Sequence, residues 1–423
     1  MKQNVLSVGA GKEQIALTDR VFPTPDKFSG VHDKISVRVL LIENGIRFAL
    51  VTLDWVMIEA EEVKILKKIV SEKCAVLEDN IWICPTHTLS TPHFPPKHRR
   101  EEDEVEARTY RLLMEAVKMA AARAADKAFK SLRPAILGSC KGRCLVNTNR
   151  NIETEKGWWL GSNDAGSTDN EMQVIRFDDI KGVTIALLYV VNCQPAVMDD
   201  SFLEDGTRLV SGDIAGISAE FIEREYPESM VAMWCTGAGA DEWPLIRSKN
   251  VIRGLDGVLR TEDLGEKGFL IAQMLGSHIG QQVIMAAEKI KCSLAKGEIK
   301  VKTCEFTYAS RENVPKEEMH PHLSYAFKLN GTADTKIEFF TLEDIALIGV
   351  QPEIGADTEK NIRSLSPYRT TAVITFVNGG AKYIADNEQY SLVTYQAMAS
   401  KYAPGGAEKM MSEIAATLNE LHA

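Results

Sequence analysis

Short apolar segments separated by tight polar turns recur along the chain. Residues 35–42 form one such segment, and a second segment at residues 46–53 follows the turn Glu43-Asn44-Gly45. Asn-Gly between two strand-like segments is the strongest short-range indicator of a β-hairpin. Two further hairpins of the same kind are predicted at residues 173–191 and 336–350.

Polar segments that carry glycine, proline or a charged residue follow several of the predicted strands. These strands are the second strands of the hairpins and the strands outside hairpins. The polar segments are at Asp54, Thr86-His87, Gln194-Pro195, residues 236–241, Pro352-Glu353 and Asn378-Gly379. Strand ends that converge on one edge of a sheet form a natural ligand site. We therefore expect the functional residues at these positions.

Segments with helical periodicity or a helix-forming composition lie between the strands. We predict helices at residues 61–73, 101–131, 213–225, 261–291, 357–364 and 405–421. Strands interleaved with helices and hairpins predict an α/β fold with mixed β-sheets. Residues 1–423 are expected to form a single catalytic domain, with a subdomain boundary near residues 296–330 as the alternative. The glycine pair in Val8-Gly9-Ala10-Gly11-Lys12 is interpreted as a turn.

Composition limits the functions that the chain can have. Its 59 acidic and 49 basic residues give a net charge of -10, which argues against binding to nucleic acid or to an anionic membrane. No apolar run is long enough to span a membrane, and residues 1–11 lack the basic and apolar regions of a signal peptide. The eight cysteines include no CxxC pair, so we expect a reduced, cytoplasmic protein in which Cys140 and Cys144 are structural.

Several segments carry residue types that suit chemistry. His87 follows a buried strand and is placed for metal binding or proton transfer, although a structural histidine is the alternative. Glu353 is either a site carboxylate or a favourable charge at the start of the next helix. The glycine-rich segment 234–244 lacks the Lys-Ser/Thr of a phosphate-binding loop. Cys193 lies among apolar residues and is interpreted as an inert buried thiol.

Taken in order, these segments resemble the catalytic domain of the neutral, non-lysosomal ceramidases over nearly the whole chain. Thr86-His87-Thr88 is similar to the start of the family's T-H-T-H-S-G-P signature, and Arg150 matches the arginine of its N-x-N-R stretch. Glu353 matches the glutamate of P-G-E, and Tyr395 matches a ligand tyrosine of the closing segment. The other matching segments are Val31-His32-Asp33 and residues 51–54, 192–195, 211–216, 239–244 and 383–402.

The resemblance implies a catalytic zinc ion, or another divalent metal, that activates water for attack on an amide carbonyl. His87, Glu353 and Tyr395 match three of the family's ligands, and Gln194 stands where the family has a second ligand histidine. An amide oxygen is a poorer zinc ligand than an imidazole. We therefore expect Gln194, water or the displaced imidazole of His93 to complete the metal site, with His93 also a catalytic candidate.

The resemblance also implies roles for residues around the metal. Asp241 is expected to act as a general base or to orient a ligand through its carboxylate. Arg150 is expected to hold a substrate carboxylate or an oxyanion. Asp54, Tyr383 and Trp243 are expected to contact the substrate, and Trp243 replaces a serine that the family uses in catalysis.

The expected function is a metal-dependent hydrolase of a small soluble amide, lactam or ester. Ceramide itself is not the expected substrate, because Leu89 replaces a signature histidine and we see neither the family's C-terminal immunoglobulin-like domain nor a lipid-binding stripe. The alternative is a relative that has lost hydrolysis and binds a ligand or performs metal-free chemistry. The expected partner is a small molecule, with no nucleic acid and no membrane, and a homo-oligomer is allowed. The aromatic segment Gly157-Trp158-Trp159-Leu160-Gly161 lines either the pocket, the core or a subunit interface.

Overall fold

The computed structural model describes residues 5–227, 229–253 and 258–423. The strands in these ranges are β1 (Ser7–Gln14), β2 (Phe28–Val31), β3 (Ser36–Asn44), β4 (Ile46–Leu53), β5 (Ile81–Pro85), β6 (Arg133–Arg143), β7 (Asn147–Thr154), β8 (Gly157–Asn163), β9 (Glu171–Asp179), β10 (Thr184–Val191), β11 (Arg208–Val210), β12 (Val231–Thr236), β13 (Glu242–Pro244), β14 (Lys249–Arg253), β15 (Leu259–Asp263), β16 (Lys300–Arg311), β17 (Leu329–Leu342), β18 (Ile345–Val350) and β19 (Thr370–Ile374). The helices are α1 (Ala60–Cys74), α2 (Lys97–Glu102), α3 (Glu104–Lys130), α4 (Asp213–Glu225), α5 (Gly268–Ala287), α6 (Ala356–Leu365), α7 (Asn387–Leu392), α8 (Tyr395–Ala399) and α9 (Gly406–His422). The mixed α/β fold predicted from the sequence is confirmed.

The largest sheet has eight strands in the order β12-β10-β9-β6-β1-β3-β4-β5. Two of the predicted hairpins form its antiparallel pairs β3–β4 and β9–β10. β5 and β12 lie at opposite ends of this strand order, yet their carboxyl ends meet. The hydroxyl of Thr236, the last residue of β12, donates a hydrogen bond at 2.7 Å to the carbonyl of Thr86, which directly follows β5. The expected convergence of strand ends therefore occurs between β5 and β12.

A second sheet of four strands, in the order β16-β17-β18-β19, packs on one face of the large sheet. The third predicted hairpin forms its β17–β18 pair. Alternate residues of a strand point to opposite faces of a sheet, so Leu40 and Phe48 of the large sheet bury against Phe340 and Leu347 of the small one. This interface forms the central hydrophobic core.

Helices cover the outer face of each sheet. α1 and α3 bury the outward side chains of β3 and β4, and α4 and α5 bury those of β9 and β10. α6 and α9 pack on the outer face of the small sheet. The result is a four-layer arrangement in which the order of layers is helices, sheet, sheet and helices.

The glycine pair at the N-terminus was predicted as a turn, and this prediction is wrong. Gly9 and Gly11 lie within β1, which crosses directly beneath α3. A Cβ atom at Gly9 would lie 2.1 Å from the Ala128 carbonyl oxygen, and one at Gly11 would lie 2.1 Å from the Ala124 carbonyl oxygen. These glycines therefore allow a helix and a strand to approach more closely than side chains permit.

Two predicted helices have different boundaries in the structure. The segment 101–131 contains the end of α2 and the whole of α3. The break falls at Asp103, which has extended backbone geometry and whose carboxylate caps α3 by accepting hydrogen bonds from the Val105 and Glu106 amides. The segment 261–291 begins as the strand β15, and its helix α5 covers only Gly268–Ala287. In both cases the composition favoured a helix, but tertiary pairing and a cap decided where the helix begins.

The described residues contain no helix that is long and apolar enough to cross a membrane. All eight cysteines lie in the described ranges, and each is a free thiol. Burial raises the pKa of the Cys193 thiol well above its ordinary value, which is the state expected of an inert buried cysteine.

Candidate functional site

His87 lies just after β5, at the point where the ends of β5 and β12 meet. Its backbone has a φ of 58°, in the left-handed region, and its ring stacks on Phe376 with 4.2 Å between ring centroids. The ring Nδ1 lies 2.7 Å from the Val56 carbonyl oxygen. Since a carbonyl only accepts hydrogen bonds, Nδ1 carries the proton and Nε2 is the atom that faces the site.

Glu353 follows β18 and supplies the carboxylate that faces His87. Its side chain is 2% exposed, and its Oε1 lies 3.6 Å from His87 Nε2. The two strand ends therefore bring together an imidazole and a carboxylate that are 266 positions apart in the chain. A buried carboxylate needs compensating partners, and the nearest one is Gln194.

Gln194 lies after β10 and is held at both ends of its side-chain amide. Its Nε2 donates to Glu353 Oε1 at 2.6 Å, and its Oε1 accepts from Arg150 Nη1 at 2.9 Å. A carboxylate accepts hydrogen bonds and a guanidinium donates them. This pairing fixes the orientation of the amide, with its nitrogen toward Glu353 and its oxygen toward Arg150.

Arg150 is a buried cation in an aromatic surround. Its Nη2 donates to the Tyr383 hydroxyl at 2.9 Å, and its guanidinium carbon lies 5.4 Å from the Trp243 ring, 5.4 Å from the Tyr383 ring and 5.8 Å from the Tyr395 ring. Burial by itself would lower the pKa of Arg150, but Tyr383 and Glu353 outweigh that effect and raise it. The guanidinium therefore stays charged, and its buried Nε has no hydrogen-bond partner among the described residues.

Seven of the residues predicted from the sequence thus lie in one connected group. The members are His87, Arg150, Gln194, Trp243, Glu353, Tyr383 and Tyr395. They come from the segments that follow β5, β10 and β18, from within β7 and β13, from the segment before α7 and from the first residue of α8. This convergence is the geometry expected of a site rather than of scattered structural residues.

Three other predicted site residues do not make these contacts. The His93 side chain is 57% exposed, and its Nδ1 pairs with Asp26 at 3.3 Å. Asp54 is buried in an ion pair with Arg38 at 2.9 Å. Asp241 is buried too, but its carboxylate accepts hydrogen bonds from the Ala356 amide and from the Gln389 side chain. The structure therefore gives each of these residues partners outside the His87 group.

Burial raises the pKa of Asp241 to about 6. The neighbouring Glu242 is fully buried, and burial raises its pKa to about 10, so it holds a proton at neutral pH. Its carboxyl group accepts hydrogen bonds from the Asn147 side chain and the Asp169 amide, and its backbone carbonyl accepts one from the Gln194 amide. The backbone carbonyl of Glu242 therefore helps to position the backbone of Gln194.

Sequence reasoning missed some residues that shape the site. Phe376 lies under the imidazole of His87, and the Val56 carbonyl orients that ring. Trp159 meets Tyr395 edge to face with 5.5 Å between centroids, so the aromatic segment after β7 does contribute to this surface. The position of Phe376 near a strand end was a usable signal, whereas the Val56 carbonyl has no signature in the sequence.

The residues at the site fit a divalent cation in part. Zinc bonds to imidazole nitrogen and carboxylate oxygen are about 2.0–2.2 Å long, so two ligands of one tetrahedral ion lie roughly 3.3–3.6 Å apart. The 3.6 Å between His87 Nε2 and Glu353 Oε1 fits this span. Gln194 does not fit as a third ligand in its present orientation, since its amide nitrogen faces the carboxylate. No group of three or more His, Cys, Asp or Glu side chains in the described ranges could hold a metal.

Known proteins share the fold of this chain at low sequence identity. No protein-family model matches the chain, and no curated protein matches it. The neutral ceramidase from Pseudomonas aeruginosa superposes with a TM-score of 0.73 and 16% identity, over 99% of this chain and 75% of that one. A ceramidase complexed with C2 superposes with a TM-score of 0.73 and 15% identity, over 99% of this chain and 76% of that one. The chain therefore has the neutral-ceramidase fold.

Proposed function

We propose that this chain is a metal-dependent hydrolase that acts on a small soluble amide, lactam or ester. The observation that carries the proposal is the arrangement of His87 and Glu353. With Nδ1 donating to the Val56 carbonyl, His87 turns its Nε2 toward Glu353 Oε1, 3.6 Å away. This separation matches that of two ligands of one divalent cation, and the match supports a metal held between the imidazole and the carboxylate.

The residues that would hold the cation are His87 and Glu353, with Tyr395 as the third donor. A bound Zn²⁺ or similar ion supplies a water of lowered pKa and polarises a carbonyl. The hydrolase class is supported by the fold that the chain shares with two ceramidases. The proposal includes zinc as the metal, a cytoplasmic location and a small molecule as the partner.

Arg150 is the residue that binds and orients the substrate. Its charge is buried, and the hydrogen bonds to Gln194 and Tyr383 fix its position. A preorganised donor in a water-poor site stabilises negative charge that develops on a carbonyl oxygen. The rings of Trp243 and Tyr395 beside it exclude water and contact the apolar part of the substrate.

The test is the metal content of the purified protein, measured by inductively coupled plasma mass spectrometry, together with hydrolysis of a panel of small amides, lactams and esters. We expect near-stoichiometric Zn²⁺, Mn²⁺, Fe²⁺ or Ni²⁺ in the wild type and loss of that metal in His87→Ala. His93→Ala is the matched control, because His93 is an exposed histidine that contacts Asp26 and not Glu353. A wild type that binds none of these ions in metal-supplemented buffer overturns the proposal.

A second candidate is a metal-free relative that binds a ligand, and the amide of Gln194 favours it. Both ends of that amide are occupied by Glu353 and Arg150, so a cation would have to displace a hydrogen bond to gain a further ligand. Gln194→His separates the two candidates. Metal binding and hydrolysis that appear only in Gln194→His support the second candidate, and metal-dependent turnover by the wild type refutes it.

A further inference from the structure

The segment at residues 376–382, which follows β19, has an unusual backbone. Phe376, Asn378 and Lys382 have φ angles of 60°, 58° and 52°, in the left-handed region, and Gly379 has a φ of 125°. This region is accessible to glycine and tolerated by asparagine, but it is rare for a bulky side chain such as that of Phe376. Strained backbone persists only where the surrounding structure holds it, and it concentrates at functional sites. Such strain beside His87 indicates a role in the candidate site.

Asn378 fixes this segment to both sheets. Its backbone amide donates to the Ile83 carbonyl at 2.9 Å, and its Oδ1 accepts from the Ile83 amide at 3.0 Å. Its Nδ2 donates to the Glu338 carboxylate at 3.0 Å. Ile83 lies in β5 of the large sheet, and Glu338 lies in β17 of the small one. An amide side chain can make both contacts because it donates and accepts at once, so Asn378 anchors the segment beside the strand that leads to His87.

The start of the segment holds His87. The Phe376 ring is 2% exposed and stacks on the imidazole, with 4.2 Å between centroids and 28° between planes. The edge of the imidazole is fixed as well, since its Nδ1 lies 2.7 Å from the Val56 carbonyl oxygen. A ring held at its face and at its edge cannot turn without losing one of these contacts. The two contacts together therefore keep Nε2 directed at Glu353.

The end of the segment holds Glu353. The Lys382 carbonyl accepts a hydrogen bond from the Glu353 amide at 2.7 Å, and the Ile384 amide donates to the Glu353 carbonyl at 3.0 Å. These bonds form an isolated parallel bridge between Glu353 and Tyr383, and the Tyr383 hydroxyl accepts from Arg150. One short segment thus contacts His87 at its start and Glu353 at its end.

We infer that residues 376–382 preorganise the candidate metal site. The Phe376 ring fixes the imidazole, and the Lys382 carbonyl fixes the backbone of the carboxylate residue. The inference rests on the proposed function, in which His87 and Glu353 bind one cation. Ligands already held 3.6 Å apart need not be ordered when the cation arrives, and residues that orient metal ligands typically contribute roughly 10- to 100-fold to metal affinity.

The strain is tested by comparing Phe376→Gly with Phe376→Ala in urea unfolding. At most positions glycine is less stable than alanine, because it loses more conformational freedom on folding. At a positive φ the order reverses, because the alanine Cβ is strained there. We expect Phe376→Gly to unfold at the higher urea concentration. The opposite order would show that the segment is unstrained and overturn the inference.

The positioning role is tested with Phe376→Leu, which keeps buried apolar bulk and removes the flat ring. The measurements are the crystal structure of the full-length, chelator-treated protein and its Zn²⁺ affinity by calorimetry. We expect a His87 ring that has turned, a distance from its Nε2 to Glu353 Oε1 longer than 3.6 Å, and a loss of Zn²⁺ affinity of roughly tenfold or more. Phe339→Leu is the matched control, because Phe339 is an equally buried phenylalanine in the core beneath α6 and α9, and we expect it to change neither quantity.

A second variant keeps the test decisive if Phe376→Leu fails to fold. Asn378→Gly preserves the positive φ and removes the side-chain hydrogen bonds to Ile83 and Glu338, so we expect it to displace His87 as well. If His87 keeps its wild-type position in both variants, the inference is overturned, whatever happens to zinc binding. A wild type that binds no zinc refutes the proposed function alone, since the metal-free crystal structures still decide whether the segment positions His87.

Discussion

Gln194→Glu is the most informative single change at the candidate site. The substitution keeps the shape of the side chain and replaces the amide nitrogen, which donates to Glu353 Oε1 at 2.6 Å, with a carboxylate oxygen. A hydrogen bond becomes a contact between two negative charges, while the oxygen that accepts from Arg150 at 2.9 Å is retained. The variant is therefore expected to be less stable without metal and to gain a ligand for a divalent cation.

The size of the effect follows from the geometry. Two unit charges about 4 Å apart repel by about 4 kcal/mol at an effective dielectric constant of about 20, and Arg150 offsets part of this repulsion, which leaves about 2–4 kcal/mol. Unfolding entropy of about 2.1 cal/mol/K per residue gives roughly 0.9 kcal/mol/K for a chain of 423 residues. The melting temperature is therefore expected to fall by about 2–4 °C.

The assay is thermal unfolding in EDTA and in 1 mM ZnCl₂ or MnCl₂. A ligand at 1,000 times its Kd stabilises a protein by about 4.1 kcal/mol. If the new carboxylate completes a cation site with a Kd of about 1 μM, the metal therefore restores the whole loss. Gln173→Glu is the matched control, because the Gln173 side chain also donates to a carboxylate, that of Glu171 at 3.1 Å, and no metal rescue is expected there.

Two results would refute this reasoning. An unchanged melting temperature in EDTA would mean that Gln194 and Glu353 are not in contact. A loss of stability that neither metal restores would mean that His87 and Glu353 do not form the two fixed ligands of a cation site.

Three further predictions concern stability. Burial raises the pKa of Asp241 to about 6, so the stability that its protonated carboxyl contributes is fully present below about pH 4 and is lost as the pH rises through 6. Asp241→Asn does not titrate, so its free energy of unfolding, measured with urea, should rise relative to that of the wild type by up to about 3 kcal/mol between pH 4 and 7.5. Gly9→Ala should lose about 3 kcal/mol or more by the same measurement, because its Cβ would lie 2.1 Å from the Ala128 carbonyl oxygen; wild-type stability would contradict that contact. Arg363→Ala should cost about 3–5 kcal/mol, because Arg363 contacts buried Asp169 at 2.7 Å, and a cost below 1 kcal/mol would show that the pair is dispensable.

Much of the secondary structure could be predicted because its signals are local. The turn at Asn44-Gly45 and the alternation around it identify β3 and β4, and Gly45 has the positive φ that this turn needs. β1 was missed because the reason for its glycines is the closeness of α3, more than 100 residues away. A local pattern does not carry information about a contact of that range.

The candidate site was predictable as a set of residues and only partly as a geometry. The resemblance selected His87, Glu353, Gln194 and Arg150, and the structure brings these four side chains together. The same reasoning also selected His93, which the structure turns toward Asp26 on the surface. Six positions separate His87 from His93, and that spacing does not reveal which way a loop side chain faces.

The sequence by itself determined the class of fold, the strands whose ends carry polar residues and the side chains available for chemistry there. Only the tertiary structure decided which of those side chains meet, how the Gln194 amide is oriented, and that Phe376 holds the His87 ring. Hydrophobic periodicity and turn chemistry depend on neighbouring residues and can be read from their order. A hydrogen bond between side chains from distant strands depends on ångström-scale packing of the whole chain, which the order of residues does not display.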